Sequence, residues 1–199
     1  MSDSIIAFKE WADVCDLLAD GSYSMILRKG GIHEGREGFS FKHEKFLLFS
    51  TGFHQKETGL VDAASEHLIQ SPDSKIHTPV EEGNEVVFKA WAEAEFAVRV
   101  RDKALVDQLA PFHCWPQNVV DDRYSYSEKL EADCISVAFV RVFRLAEPWT
   151  VPYQRKFGGC RSWLELEGAP SGLLEGMTPV VDDATHAERA QAVRAVLGI

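Results

Sequence analysis

Every even position from Phe88 to Val100 is apolar (Phe88, Ala90, Ala92, Ala94, Phe96, Val98, Val100), while the odd positions run through Lys89, Trp91, Glu93, Glu95 and Arg99 to Arg101. An α-helix cannot gather every second residue on one side, whereas a β-strand does so by construction. Alanine and glutamate favour helix by propensity, but the period outweighs them, and the segment is expected to be a long strand with one buried face. Such a strand needs partners. Tyr23 to Leu27 and Phe46 to Phe49 are short apolar runs bounded by glycine or polar residues and read as strands. Ile135 to Leu145 stays apolar on both faces until Arg141, the pattern of a central strand covered on two sides.

Helical spacing marks the remainder. Phe8, Trp11, Ala12, Cys15 and Leu18 recur at three- and four-residue steps, so Ile5 to Leu18 is expected to be an amphipathic helix ended by Gly21. Leu60, Ala64 and Leu68 predict a second helix, and Asp102 caps a short third one that Pro111 stops. Thr185 and Glu188 stand in capping-box spacing before Ala190, Val193 and Leu197, which predicts a closing helix. Residues 71–84 gather proline, glycine, serine and charge, and form the expected linker or exposed loop. The fold class is therefore α+β, a mixed sheet flanked by helices. It is organised either as two small lobes, 1–72 and 85–199, or as one domain over 1–199.

With 199 residues and 45% hydrophobic side chains, the chain can bury one good core. It has no apolar run of membrane-spanning length, and its start lacks the pattern of a signal peptide. A cytoplasmic location is expected. Cys15, Cys114, Cys134 and Cys160 show no CxxC spacing and read as reduced thiols rather than as a zinc site or disulfide frame. The net charge of −10 opposes binding of nucleic acid through overall charge, yet permits a local basic patch.

That patch lies in residues 25–55, which carry Arg28, Lys29, Arg36, Lys42 and Lys45 against Glu34, Glu37 and Glu44, together with three of the seven histidines. Arg28, Lys29, Gly30 and Gly31 stand where a strand gives way to the glycine-rich GGIHEGREG. Two cations and open backbone amides there can converge on a phosphate or carboxylate. The GxxxxGK[ST] phosphate loop is absent, and the plainer reading is a strand end with solvated charges before a turn. His33, His43 and His54 are ten and eleven residues apart, not a local metal-ligand spacing, and no metal is expected. His54 and Gln55 can act as a general base and a donor beside the basic loop; a histidine satisfying a nearby carbonyl is the simpler account.

Glu93 and Glu95 share one strand face and Asp73 lies twenty residues before Glu93, a spacing loosely like the carboxylate set of restriction-endonuclease-type nucleases. That site usually ends in lysine where this chain has Glu95, so a charge-paired strand surface is the simpler account. Cys160, beside Arg161 in FGGCRSW, is a candidate nucleophile or a small buried residue. Trp115, Arg123, Tyr124 and Tyr126 can stack a base or cover a sheet edge, and covering is the better fit.

The segments LRKGGIHEGREGF, KFLLFSTGFHQ, PFHCW, VRVFRL and FGGCRSWLEL, in this order, resemble the bacterial domain-of-unknown-function 1802 family. The resemblance places Arg28, Lys29, Gly30, Gly31, His33, Glu34 and Gly35 in an RKGGIxE-type motif, His54 and Gln55 in a second, and Gly158 to Trp163 in a third. It also implies a setting in restriction-modification or defence, without an attached endonuclease domain in this chain. The expected function is recognition of a phosphate-bearing ligand, nucleic acid or nucleotide, by Arg28, Lys29, Gly30, Gly31, His33, Arg36, Gln55 and Arg161. A restriction or modification protein is the expected partner, and no cofactor is identified. Two alternatives stand beside it: a metal-dependent nuclease or phosphohydrolase using Glu93, Glu95 or His54, and a non-catalytic protein-binding subunit.

Overall fold

The computed structural model describes residues 4–29, 41–51, 60–61, 68–69, 84–125, 133–159 and 161–199. Its chain order is β1 (Ile5–Trp11), α1 (Ala12–Ala19), β2 (Met25–Lys29), β3 (Lys45–Thr51), β4 (Leu60–Val61), β5 (Leu68–Ile69), β6 (Glu85–Val100), α2 (Lys103–Gln108), α3 (Gln117–Ser125), β7 (Ile135–Pro152), β8 (Trp163–Leu166), β9 (Thr178–Pro179) and α4 (Asp183–Leu197). The fold is α+β. A seven-stranded sheet runs β2-β7-β6-β3-β1-β8, with β9 attached to β7; β1 and β3 are parallel and the other pairs antiparallel. Strands from before residue 72 and after residue 84 thus share one sheet. Most of the segment expected to link two lobes, residues 71–83 of 71–84, lies outside the described residues.

The alternating segment is a strand, β6, paired with β7 along nearly its whole length. One refinement concerns its faces. The register slips between Phe88 and Ala90, and a bulge of this kind turns the following residues over. Phe88 and the odd-numbered Trp91 accordingly join one hydrophobic cluster with Ala7, Leu47 and Phe49, while Ala90 and Ala92 join the other with Phe8, Phe46 and Leu48. Along β1 and β3, successive residues alternate between these clusters, so each lies on one face of the sheet.

The first expected helix begins later than its spacing predicts. Ile5–Trp11 is a strand held between β3 and β8, and only Ala12–Ala19 is helical. A seven-residue segment with apolar side chains toward both clusters satisfies either period, and pairing on both edges decides for strand. The helix then stops at Gly21, whose φ of +83° brings it under the Val180–Val181 backbone; a Cβ there would lie 2.9 Å from the Val180 oxygen. The second expected helix is not found at its ends: Leu60–Val61 and Leu68–Ile69 pair as a separate two-stranded sheet, and residues 62–67 lie outside the described ones. Asp102 caps α2 by accepting from the Ala104 N–H at 2.9 Å. The closing helix forms, but its cap is Asp182, which accepts from the Thr185 N–H at 2.9 Å; the expected capping-box serine/threonine position falls inside the helix.

β2 and β1 are separated in the strand order by β7, β6 and β3, yet the Arg28 guanidinium on β2 donates to the Lys9 carbonyl on β1. The sheet therefore curls far enough to bring its β2 edge back onto β1, and the functional candidates gather at this closure.

Candidate functional site

β1 presents Phe8 and Glu10 to one side and Lys9 to the other. Glu10 is completely enclosed; its Oε1 accepts from the Trp11 N–H at 2.9 Å and faces Arg28 Nη1 at 3.6 Å. The Arg28 side chain is 13% exposed and lies 4.7 Å over the Phe8 ring. Trp163 packs against the same ring at 4.7 Å, with Phe46 at 5.3 Å and Phe41 at 5.7 Å. On the other face, Lys9 Nζ donates to the Gly159 carbonyl at 3.0 Å, and the Lys9 N–H donates to the Ser162 carbonyl at 2.8 Å. Two sequence motifs more than a hundred residues apart, Arg28–Lys29 and Gly158–Trp163, thus meet across Phe8 and Lys9.

A second guanidinium arrives from α3. Arg123 is 5% exposed, donates to the Leu27 carbonyl at 2.7 Å, and lies 3.6 Å over the Trp115 ring and 5.4 Å from Trp11. Trp11 and Trp115 themselves meet edge to face at 4.6 Å. Burial lowers the Arg123 pKa to about 10; the positive Arg28 adds to the shift, and Glu10 opposes it. No carboxylate comes within ion-pair distance of Arg123 among the described residues. Lys29, half-buried at the end of β2, is held below the ordinary lysine range first by burial and then by the Arg123 charge, against a smaller opposing effect of Asp122.

His113 stands behind this cluster, with Nδ1 accepting from the Trp115 N–H at 3.1 Å. Burial, helped by the Arg123 charge, lowers its pKa from 6.5 to about 4. Between those values the unfolded chain binds a proton that the folded chain refuses, so stability is lost as pH falls through this window. From pH 7 to pH 5 the expected loss is about 2 kcal/mol. Urea unfolding at the two pH values measures it, and His113→Asn is expected to flatten the difference by that amount. The neighbouring thiols are inert, since burial raises Cys114 to about 12 and raises Cys15 further.

The remaining candidates divide. Gly30, Gly31, His33, Arg36, His54, Gln55, Asp73 and Cys160 lie outside the described residues. Arg161 is exposed two positions before Trp163. Glu93 pairs with Lys45 Nζ at 3.2 Å and accepts from Trp91 Nε1 at 3.1 Å. Glu95, set off by a second register slip between Ala94 and Phe96, pairs instead with His186 Nε2 at 2.8 Å and Arg194 Nη2 at 3.2 Å on α4. The two carboxylates have separate cationic partners rather than a shared one. The aromatic neighbours of Arg123, Trp115 and Tyr124, are visible in the sequence, but its approach to β2 is tertiary.

Residues 7–192 match the family model described as "Domain of unknown function (DUF1802)". No curated protein matches the chain. Among solved structures, ASCH from Zymomonas mobilis is 8% identical over 76% of this chain and 88% of its own, with a TM-score of 0.41. One single-site variant of that protein is 9% identical over 81% of this chain and 88% of its own, at a TM-score of 0.44.

Proposed function

The chain belongs to the DUF1802 family, and from the geometry of its own residues we propose that it binds a phosphate-bearing ligand, nucleic acid or nucleotide, at the end of β2. The observation that carries this reading is the Arg123 guanidinium donating to the Leu27 carbonyl at 2.7 Å, which sets it beside the strand end that carries Lys29. Two cations sit together in partly desolvated surroundings, the charge of one lowers the pKa of the other, and the buried carboxylate nearby already faces Arg28. An arriving anion relieves that repulsion and meets a guanidinium seated over the Trp115 ring. The exposed Arg161 adds a further cation in this proposal, and a restriction-modification setting accords with nucleic acid as the ligand. Free thiols at Cys15, Cys114 and Cys134 fit a reducing, cytoplasmic compartment.

Geometry also decides which variant tests the proposal. Reversing Arg28 removes the partner of an enclosed carboxylate and disturbs folding, whereas Lys29 is at the surface end of the strand. Lys29→Glu is expected to weaken binding of a fluorescent DNA or RNA oligonucleotide at least tenfold, and to reduce the slope of log affinity against log salt by about one contact's worth, ~0.7–0.9. Anisotropy titrations at several salt concentrations measure both. Unchanged affinity and slope in a folded Lys29→Glu protein remove the proposal.

A further inference from the structure

Two open cavities lie between the second half of β7 and residues 166–175. The first, of about 300 Å³, is lined by Glu147, Trp149, Leu173 and Glu175 among others; the second, of about 290 Å³, by Val151, Lys156, Phe157, Leu166 and Glu167. Trp149 and Val151 are two positions apart on β7 and pack against the same hydrophobic cluster, so they share a sheet face about 6–7 Å apart. Trp115, under the Arg123 guanidinium, belongs to the other cluster. The cavities are thus on the opposite side of the sheet from the proposed phosphate site. The Trp149 ring stacks on the enclosed Phe88 at 5.3 Å with 28° between their planes, which fixes the indole, half-buried, at the wall of the first cavity. At its rim Gly172, with φ +85°, turns the chain so closely that an added Cβ would lie 3.2 Å from the Glu175 carboxyl carbon, and the Glu175 N–H donates to the Gly172 carbonyl at 2.8 Å.

We infer that this cleft docks an extended basic segment of a partner protein, with an arginine in the first cavity and an apolar side chain, two residues along, in the second. Charge chooses the occupant. Among the described lining residues of the two cavities, Glu147, Glu167 and Glu175 are acidic and Lys156 alone is basic, and the first cavity holds no cation at all. A planar guanidinium stacks on an indole and pairs with carboxylates in the same plane, which an ammonium cannot do. The second cavity has an apolar floor, since Phe157 and Leu166 are both buried members of the cluster. Spacing supplies the rest: alternate side chains of an extended segment are as far apart as Trp149 and Val151, so one short stretch of chain fills both cavities. The chain's net charge of −10 favours the approach of such a partner.

The test titrates the full chain with the peptide acetyl-Gly-Arg-Gly-Leu-Gly-amide and follows backbone and indole N–H resonances by NMR, which detects weak binding and locates it. Shifts are expected at the Trp149 indole and in residues 166–175. Replacing the peptide's arginine by glutamate, or combining Glu147→Lys with Glu175→Lys in the protein, is expected to weaken binding at least about tenfold. Both glutamates are exposed, so the variant is expected to fold. Glu44→Lys with Glu188→Lys makes the same change of net charge at exposed positions elsewhere and is expected to leave affinity unchanged, as is Lys29→Glu at the phosphate site. Absence of shifts at Trp149, equal binding of the glutamate peptide, or an equal loss in the Glu44 and Glu188 control overturns the inference. Two further outcomes overturn it in part: equal binding of a peptide with serine for leucine removes the second cavity, and equal binding of N-acetylarginine amide makes the first a site for a free guanidinium compound rather than for a protein.

Discussion

Arg28→Ala is expected to destabilise the protein by roughly 3–5 kcal/mol, the range for removing one partner of an enclosed ion pair. Three losses coincide at this side chain. Among the described residues the Glu10 carboxylate keeps only the Trp11 N–H, the Lys9 carbonyl loses the Arg28 donor, and the Phe8 ring loses its guanidinium cover. For a domain of this size, each kcal/mol moves the midpoint by about 2–4 °C, so a fall of roughly 6–20 °C is expected in thermal unfolding followed by circular dichroism. A companion variant makes the cause explicit. Arg28→Met combined with Glu10→Leu removes both charges and is expected to recover most of the loss, because an apolar pair of similar volume avoids the desolvation cost that the ions carry. A double variant as unstable as the sum of the two single ones would mean that the residues do not act on each other.

This result reassigns half of the basic motif. Adjacent residues on a strand point to opposite sides, so Arg28 and Lys29 cannot both face one ligand from β2. The sequence displays two cations side by side and therefore reads as a patch; which of them turns inward depends on where β1 closes against β2, a contact between positions 9 and 28 that no local pattern encodes. The same limit hid Arg123. Its stacking on Trp115 is hinted at by the HCWPQNVVDDRYSYS composition, but its proximity to Lys29 arises only once α3 packs behind β2.

Elements with one dominant period were the legible part of the fold. β6 and β7 are written in alternation and in sustained apolar character, and α4 in its spacing and final glycine. Legibility failed where two signals coincide. Ile5–Trp11 meets helical spacing and strand requirements alike, and the choice falls to hydrogen bonding with β3 and β8. The bulge after Phe88 was invisible for the opposite reason: the even-numbered pattern continues through it unbroken, while the residues on either side face different cores. The helix expected through Leu60 and Leu68 rested on three residues, too few to establish a period against pairing of the two ends.

Phe8→Ala is the second large effect, at roughly 3–5 kcal/mol for truncating an enclosed aromatic ring. Its consequence extends beyond the lost area. Phe8 is the shared wall between the Arg28 motif on one side and Trp163 on the other, with Phe41 and Phe46 closing the remainder. Collapse into that space would draw Trp163 and Arg28 toward each other, and the Lys9 bonds to Gly159 and Ser162 on the adjacent position would be strained with them. Phe8→Leu separates the parts. It keeps most of the volume, so packing costs less than about 1.5 kcal/mol, and removes the ring face on which the guanidinium rests, a contact of about 0.5–2 kcal/mol. Chemical denaturation of both variants, with and without Arg28→Met, gives the coupling. If Phe8→Leu costs the same whether position 28 holds arginine or methionine, the ring and the guanidinium are merely neighbours; a coupling of 0.5 kcal/mol or more, within the range for contacting residues, makes Phe8 the element that ties the basic strand end to the glycine-rich turn before β8.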